Sequence, residues 1–239
     1  MYNLENHEAY SALSNMKVIH GLIEELLQEK NFCYNKFNEK IVKDADDLAD
    51  MLFSNNSTSL YSTRTFSSKE DLANKIKGDI FELFVMFFLQ YFERQASVLG
   101  IKEGTYTQVT DDEDAGMDFY GIKYSSGNNE RVFGQIKYRN PFLNLKPEEM
   151  AFTRKVAYSL IGDATIKMGF NAEKDFLLFV TNRTLEDSLH YRFKNEIGFV
   201  NTSADSNHTY IKFLDANLFQ NTIGFNEATF WNEFKNQFK

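Results

Sequence analysis

Apolar positions recur at mostly helical spacing from Ala9 to Met51, where Val18, Ile19, Leu22, Ile23, Leu26 and Leu27 form one stripe. The polar run Ser54-Asn55-Asn56-Ser57-Thr58-Ser59, continuing to Ser67-Ser68, interrupts that pattern and sets a soft boundary near residue 68. Ser67 or Ser68 is placed to cap a second helical stretch, with Glu70 and Asp71 favourable in its first turn, and the pattern holds to about Gln95. Beyond it the period shortens. Residues 106–110, 117–124 and 131–139 read as strands, the last two joined by a hairpin turn over 125–129 that contains Gly127-Asn128-Asn129. Residues 148–168 read as a helix, 175–182 as a central strand because Phe176-Leu177-Leu178-Phe179-Val180 is continuously apolar, 185–195 as a helix, 210–214 as a strand and 227–238 as a last helix. The order predicts an α/β sandwich with a mixed central sheet flanked by helices, residues 69–239, preceded by a helical amino-terminal region, residues 1–68.

Composition narrows the class. The chain has 239 residues, enough to bury a substantial core. Its one cysteine, Cys33, excludes an intrachain disulfide, and the four scattered histidines lack cysteine partners at zinc-site spacing. The longest apolar stretch, residues 80–92, is short for a bilayer and is broken by Glu82 and Gln90; the first residues show no basic and apolar leader pattern. A reducing, cytoplasmic setting without a membrane partner is expected. Abundant aromatics, 24 Phe and 12 Tyr, are most economically core.

A net charge of −8 argues against general coating of nucleic acid, but charge is unevenly spread. Residues 121–170 carry Lys123, Arg131, Lys137, Arg139, Lys146, Arg154, Lys155 and Lys167 against Glu130, Glu148, Glu149 and Asp163, whereas residues 1–50 are acidic on balance. The basic stretch starts just after Asp118.

Three short segments carry candidate chemistry. Glu82 lies in Asp79-Ile80-Phe81-Glu82-Leu83-Phe84-Val85-Met86, a helix apolar nearly all round, where an ionised carboxylate demands a partner; a structural Lys or Arg, or a metal, would serve. Asp118 lies in Gly116-Met117-Asp118-Phe119-Tyr120-Gly121, where strand alternation puts Asp118, Tyr120 and Ile122 on one face. In the next strand Phe133, Gln135 and Lys137 share a face, so a hairpin lets Asp118, Gln135 and Lys137 converge at one end. Two carboxylates, an amide oxygen and a lysine suit a divalent cation and a water attacking a phosphodiester. The acidic run Asp111-Asp112-Glu113-Asp114 reads as a solvated turn, and His190 as helix surface.

Helix Glu82, then Asp118 in a hairpin's first strand, then Gln135-Ile136-Lys137 in its second, resembles the PD-(D/E)XK nuclease superfamily, in particular its Mrr-like branch with a Gln-x-Lys motif. Lys77-Gly78-Asp79-Ile80-Phe81-Glu82, Gly116-x-Asp118 and Phe179-Val180-Thr181-Asn182 share that likeness, which covers roughly residues 70–215. It implies a restriction-endonuclease-like fold and a Mg²⁺ site, with Mn²⁺ able to substitute, formed by Asp118, Glu82, the Gln135 side-chain oxygen and the Ile136 carbonyl. Lys137 would orient the attacking water. Tyr138, Arg139, Lys146, Arg154 and Lys155 are placed to grip phosphates. Met117 stands where the motif has proline, and Gln135 lowers the site's negative charge by one relative to Glu.

The expectation is a metal-dependent DNA endonuclease, nicking or cutting both strands, acting in restriction or mobile-element conflict. The amino-terminal helices would serve specificity, homodimerisation or partner docking. The alternative is a nuclease-fold DNA-binding or assembly subunit without activity; RNA or branched DNA are further substrates open to the same chemistry.

Overall fold

The computed structural model describes residues 4–58, 61, 65–95, 98–101, 105–109, 116–123, 130–189, 211–224 and 227–239. The acidic run 111–114, the hairpin turn 125–129 and His190 lie outside the described residues. Eight α-helices are named here: α1 (Tyr10–Asn15), α2 (Val18–Leu27), α3 (Tyr34–Ser54), α4 (Lys69–Gln95), α5 (Arg154–Met168), α6 (Leu185–Ser188), α7 (Ala216–Ile223) and α8 (Glu227–Asn236). Five strands, β1 (Thr107–Gln108), β2 (Phe119–Lys123), β3 (Glu130–Lys137), β4 (Phe176–Thr181) and β5 (Ile211–Leu214), form one sheet in the order β1-β2-β3-β4-β5. β1, β2 and β3 are antiparallel neighbours, while β3, β4 and β5 run parallel, so the sheet is mixed as expected. Among the described residues no helix is long and apolar enough to cross a membrane.

The chain divides into two compact units. One comprises Leu89–Arg139 and Leu143–Ala216 and holds the sheet; the other comprises Asn3–Phe88, Asn140–Phe142 and Asn217–Lys239 and is helical.

In the sheet unit, α5 crosses over between the parallel strands β3 and β4, as parallel pairing requires. Its Ala157, Leu160 and Ala164 pack with Phe133, Leu177, Phe179, Phe152 and Met117 in one buried cluster. Helix α5 begins later than residue 148. Thr153 caps it by accepting the Val156 amide at 3.3 Å, because Ala151 and Phe152 are drawn into the core and the Phe152 amide pairs with Ser188 O at 3.0 Å.

Two side chains pin β3 to β4 at opposite ends. At the start, Arg131 spreads over Asp175 (2.6 Å from Nη2 to Oδ2) and the carbonyls of Met168 (2.5 Å) and Gly169 (2.7 Å). At the other end, Asn182 bonds both backbone groups of Arg139.

The helical unit is built on aromatic packing. Phe84 of α4 stacks on Trp231 of α8 at 5.6 Å between ring centroids and lies 4.9 Å from Phe37 of α3 and 5.2 Å from Phe219 of α7. The stretch of helical spacing from Ala9 to Met51 is three helices. Lys17 and Asn31 have positive φ, 53° and 64°, and break the run at short joints that periodicity does not register. Ser68 Oγ accepts the Asp71 amide at 3.1 Å at the start of α4, where the capping serines are expected.

Candidate functional site

Asp118 sits one residue ahead of β2 and is fixed by backbone on both sides. Its carbonyl accepts the Val109 amide at 2.9 Å, its amide donates to Gly134 O at 2.8 Å, and Oδ2 accepts the Ile136 amide at 2.5 Å. The residue therefore holds β3 at the positions on either side of Gln135. Its approach is set by Gly116, whose amide donates to Asp163 Oδ2 of α5; a Cβ on Gly116 would collide with Ser159 and the Leu160 backbone.

Gln135 is 2% exposed, and its Oε1 is buried with no hydrogen-bond partner among the described residues. Leaving such an oxygen unsatisfied costs about 1–3 kcal/mol, so the position calls for a donor or a cation beyond the described residues. Two residues on, and on the same strand face by alternation, half-buried Lys137 ends β3 beside Thr181 and has no acidic partner among the described residues. A carboxylate anchored through one oxygen, an orphaned amide oxygen and a lysine thus follow one another at one end of the β2–β3 pair. A carboxylate has about four acceptor sites, so the Ile136 bond leaves Asp118 able to ligate. These donors fit a hard divalent cation.

The cationic residues differ in freedom. Arg139 donates from Nε to Glu149 O at 2.8 Å and from Nη1 to Tyr138 O at 2.9 Å, which commits much of its guanidinium to the loop; burial lowers its pKa from the ordinary value. Tyr138 is half-buried, whereas Lys146 is exposed. Arg154 and Lys155 are exposed at the first two positions of α5, where the helix dipole adds to their positive field.

Glu82 lies in the helical unit. Its carboxylate is 3.5 Å from Nε2 of buried His7, an imidazole neighbour that the sequence does not point to. Asp79, one turn earlier, accepts from Tyr61 O–H and from Lys75 Nζ at 2.6 Å. Burial raises Asp79 above the ordinary carboxylate range despite these donors and drives the Tyr61 hydroxyl well up. Burial opposes charge on His7, yet Glu82 and Asp79 together lift its pKa. Sequence reading missed His7, Tyr61 and Lys75. Only the Lys75–Asp79 and Asp79–Glu82 spacings, four and three residues, carried a local signal.

No protein-family model matches the chain, and no curated protein matches it. Among solved structures, the MspJI restriction endonuclease in complex with a 27-mer oligonucleotide is similar, at 14% sequence identity and a TM-score of 0.37. That likeness covers 73% of this chain and 36% of the other, so the chain spans about a third of the MspJI length.

Proposed function

We propose that the protein is a metal-dependent DNA endonuclease whose site lies at the Asp118–Gln135–Lys137 end of the β2–β3 pair. The buried Oε1 of Gln135, without a partner among the described residues, beside the anchored Asp118 carboxylate carries this reading. Asp118, the Gln135 side-chain oxygen and the Ile136 carbonyl would hold Mg²⁺, or Mn²⁺ in its place. When bound, the cation supplies Lewis-acid charge for phosphodiester hydrolysis. Lys137 orients the attacking water and offsets negative charge building on the phosphate as the new P–O bond forms and the sugar oxygen leaves. Lys146, Arg154 and Lys155, with Tyr138 and the remaining donors of Arg139, would hold flanking phosphates. The PD-(D/E)XK likeness read in the sequence also implies Glu82, and Glu82→Ala tests its part.

The deciding experiment incubates the purified chain with supercoiled plasmid and with phage genomic DNA in Mg²⁺, Mn²⁺ or EDTA. Asp118→Ala and Lys137→Ala run alongside. Metal-dependent nicked or linear product, reduced about a hundredfold to a thousandfold by either substitution, supports the reading. Binding without cleavage under every condition overturns it in favour of a binding or assembly subunit. Product form separates a nickase from a double-strand cutter.

A further inference from the structure

We propose that His7, Asp79 and Glu82 form a cation site of their own within the helical unit, suited to a first-row divalent transition metal such as Mn²⁺, Co²⁺ or Zn²⁺. One ligand atom from each residue falls within 4.8 Å of the other two. His7 and Asp79 are each 2% exposed, while the Glu82 side chain is 20% exposed and gives the cluster its opening to solvent. The second observation is His7 Nε2, a buried nitrogen that makes no hydrogen bond of ordinary length among the described residues and has only Glu82 Oε2 facing it, at 3.5 Å. Two ligand atoms about 2.1 Å from one ion at a tetrahedral angle lie roughly 3.4 Å apart, so this pair is already spaced for a shared cation.

The scaffold around the three residues is ordered as a metal site requires. Asp79 and Glu82 are three residues apart on α4 and share a face. His7 follows a 3₁₀ turn, Leu4–Asn6, and is held by its amide to Leu4 O and its carbonyl to the Tyr10 amide, both at 3.0 Å. Asp79 is oriented by Tyr61 at Oδ2 and by Lys75 at Oδ1, and Lys75 is itself held by Glu8 at 2.6 Å. A ligating carboxylate is usually oriented by such hydrogen bonds, and Oδ2 retains a lone pair beyond the one Tyr61 uses.

An imidazole nitrogen with two carboxylates favours first-row transition ions over Mg²⁺. Nδ1 of His7 accepts the Ala9 amide at 3.1 Å, which places the ring proton on Nε2. Ligation through Nε2 shifts that proton to Nδ1 and forfeits the Ala9 bond. One ordinary hydrogen bond is small against what ligation of a transition ion supplies.

The sequence likeness also assigns Glu82 to the nuclease site, so the test reads metal binding without DNA and uses Asp118→Ala to tell the two sites apart. The test is a Co²⁺ titration of the full chain in excess Mg²⁺, followed by the visible d–d absorption of the bound ion. The variants are His7→Ala, Glu82→Gln and Asp118→Ala, and circular dichroism checks each fold. One equivalent of Co²⁺ is expected to develop the band in wild type and in Asp118→Ala, with binding weakened about a hundredfold in His7→Ala and Glu82→Gln. No band, a band abolished by Mg²⁺ or by Asp118→Ala, or a band unchanged in the folded His7 or Glu82 variant overturns the assignment. If His7→Ala fails to fold, the isosteric Glu82→Gln decides by the same reading.

Discussion

Asn182 and the backbone of Arg139 are joined twice: Oδ1 accepts the Arg139 amide at 2.7 Å and Nδ2 donates to the Arg139 carbonyl at 2.8 Å. Because β3 ends at Lys137 and β4 at Thr181, its parallel partner, the clasp joins the second residue after β3 to the first after β4 and stops both strand ends fraying. Removing it with Asn182→Ala should cost about 2 kcal/mol, two hydrogen bonds at about 1 kcal/mol each, read by urea unfolding. Cleavage should fall with it, since the end of β3 places Lys137. Unchanged stability would show that the surrounding packing fixes β3 without Asn182.

Gln135→Glu tests the orphaned oxygen directly. A second carboxylate buried beside Asp118 without a cation should destabilise the chain by roughly 3 kcal/mol in EDTA. A bound divalent ion should return most of that loss, so Mg²⁺ should raise the melting temperature of the variant more than that of wild type. Equal losses with and without Mg²⁺ would mean that no cation reaches this position.

Gly134 is a strand-interior glycine with a packing reason. It pairs with Phe119 across β2 and β3, and a Cβ there would run into the Phe119 ring, itself fully buried and set edge-to-face with Tyr106. Gly134→Ala should therefore cost about 1–3 kcal/mol by overpacking. In the double variant with Phe119→Leu the two losses should fall short of their sum by about 1 kcal/mol in equilibrium unfolding. Strict additivity would refute the clash.

Strand-level organisation was legible where the hydrophobic period was unambiguous. The continuous apolar run Phe176–Val180 is a buried central strand, and the two motif-bearing segments pair antiparallel as the hairpin reading requires. The five-stranded mixed sheet with helices follows from that order. Periodicity could not show that Lys17 and Asn31 turn with positive φ, since nothing in their side chains demands it. Nor did it reveal α7, eight residues long, or the late start of α5, which depends on Phe152 finding Ser188 across the fold. At the candidate site, residue type and spacing singled out Asp118, Gln135 and Lys137. The Asp118–Ile136 bond and the proximity of His7 to Glu82 arise from contacts 18 and 75 residues apart in sequence, beyond any local pattern.

Asp175 makes the sheet unit acid-sensitive at a definable place. Burial alone would raise its carboxyl, but the Arg131 guanidinium and the amides of Asn171 and Arg131 outweigh burial and hold it below the ordinary carboxylate value. The folded state thus binds the proton less readily than the unfolded chain. Its stabilisation is fully present above the unfolded value of about 3.9 and is lost as pH falls through the lower folded value. Asp175→Asn should be less stable than wild type by about 2 kcal/mol at pH 7, because charge-assisted bonds to Arg131 are replaced by weaker neutral ones. That gap should begin to shrink below about pH 4, where the unfolded chain takes up the proton, and close as pH falls through the lower folded value, where folded wild type loses the same charge. Urea unfolding of both proteins from pH 7 to pH 3 checks this. A gap constant over the whole range would mean that Asp175 acts through shape and hydrogen-bond count, with its charge contributing nothing.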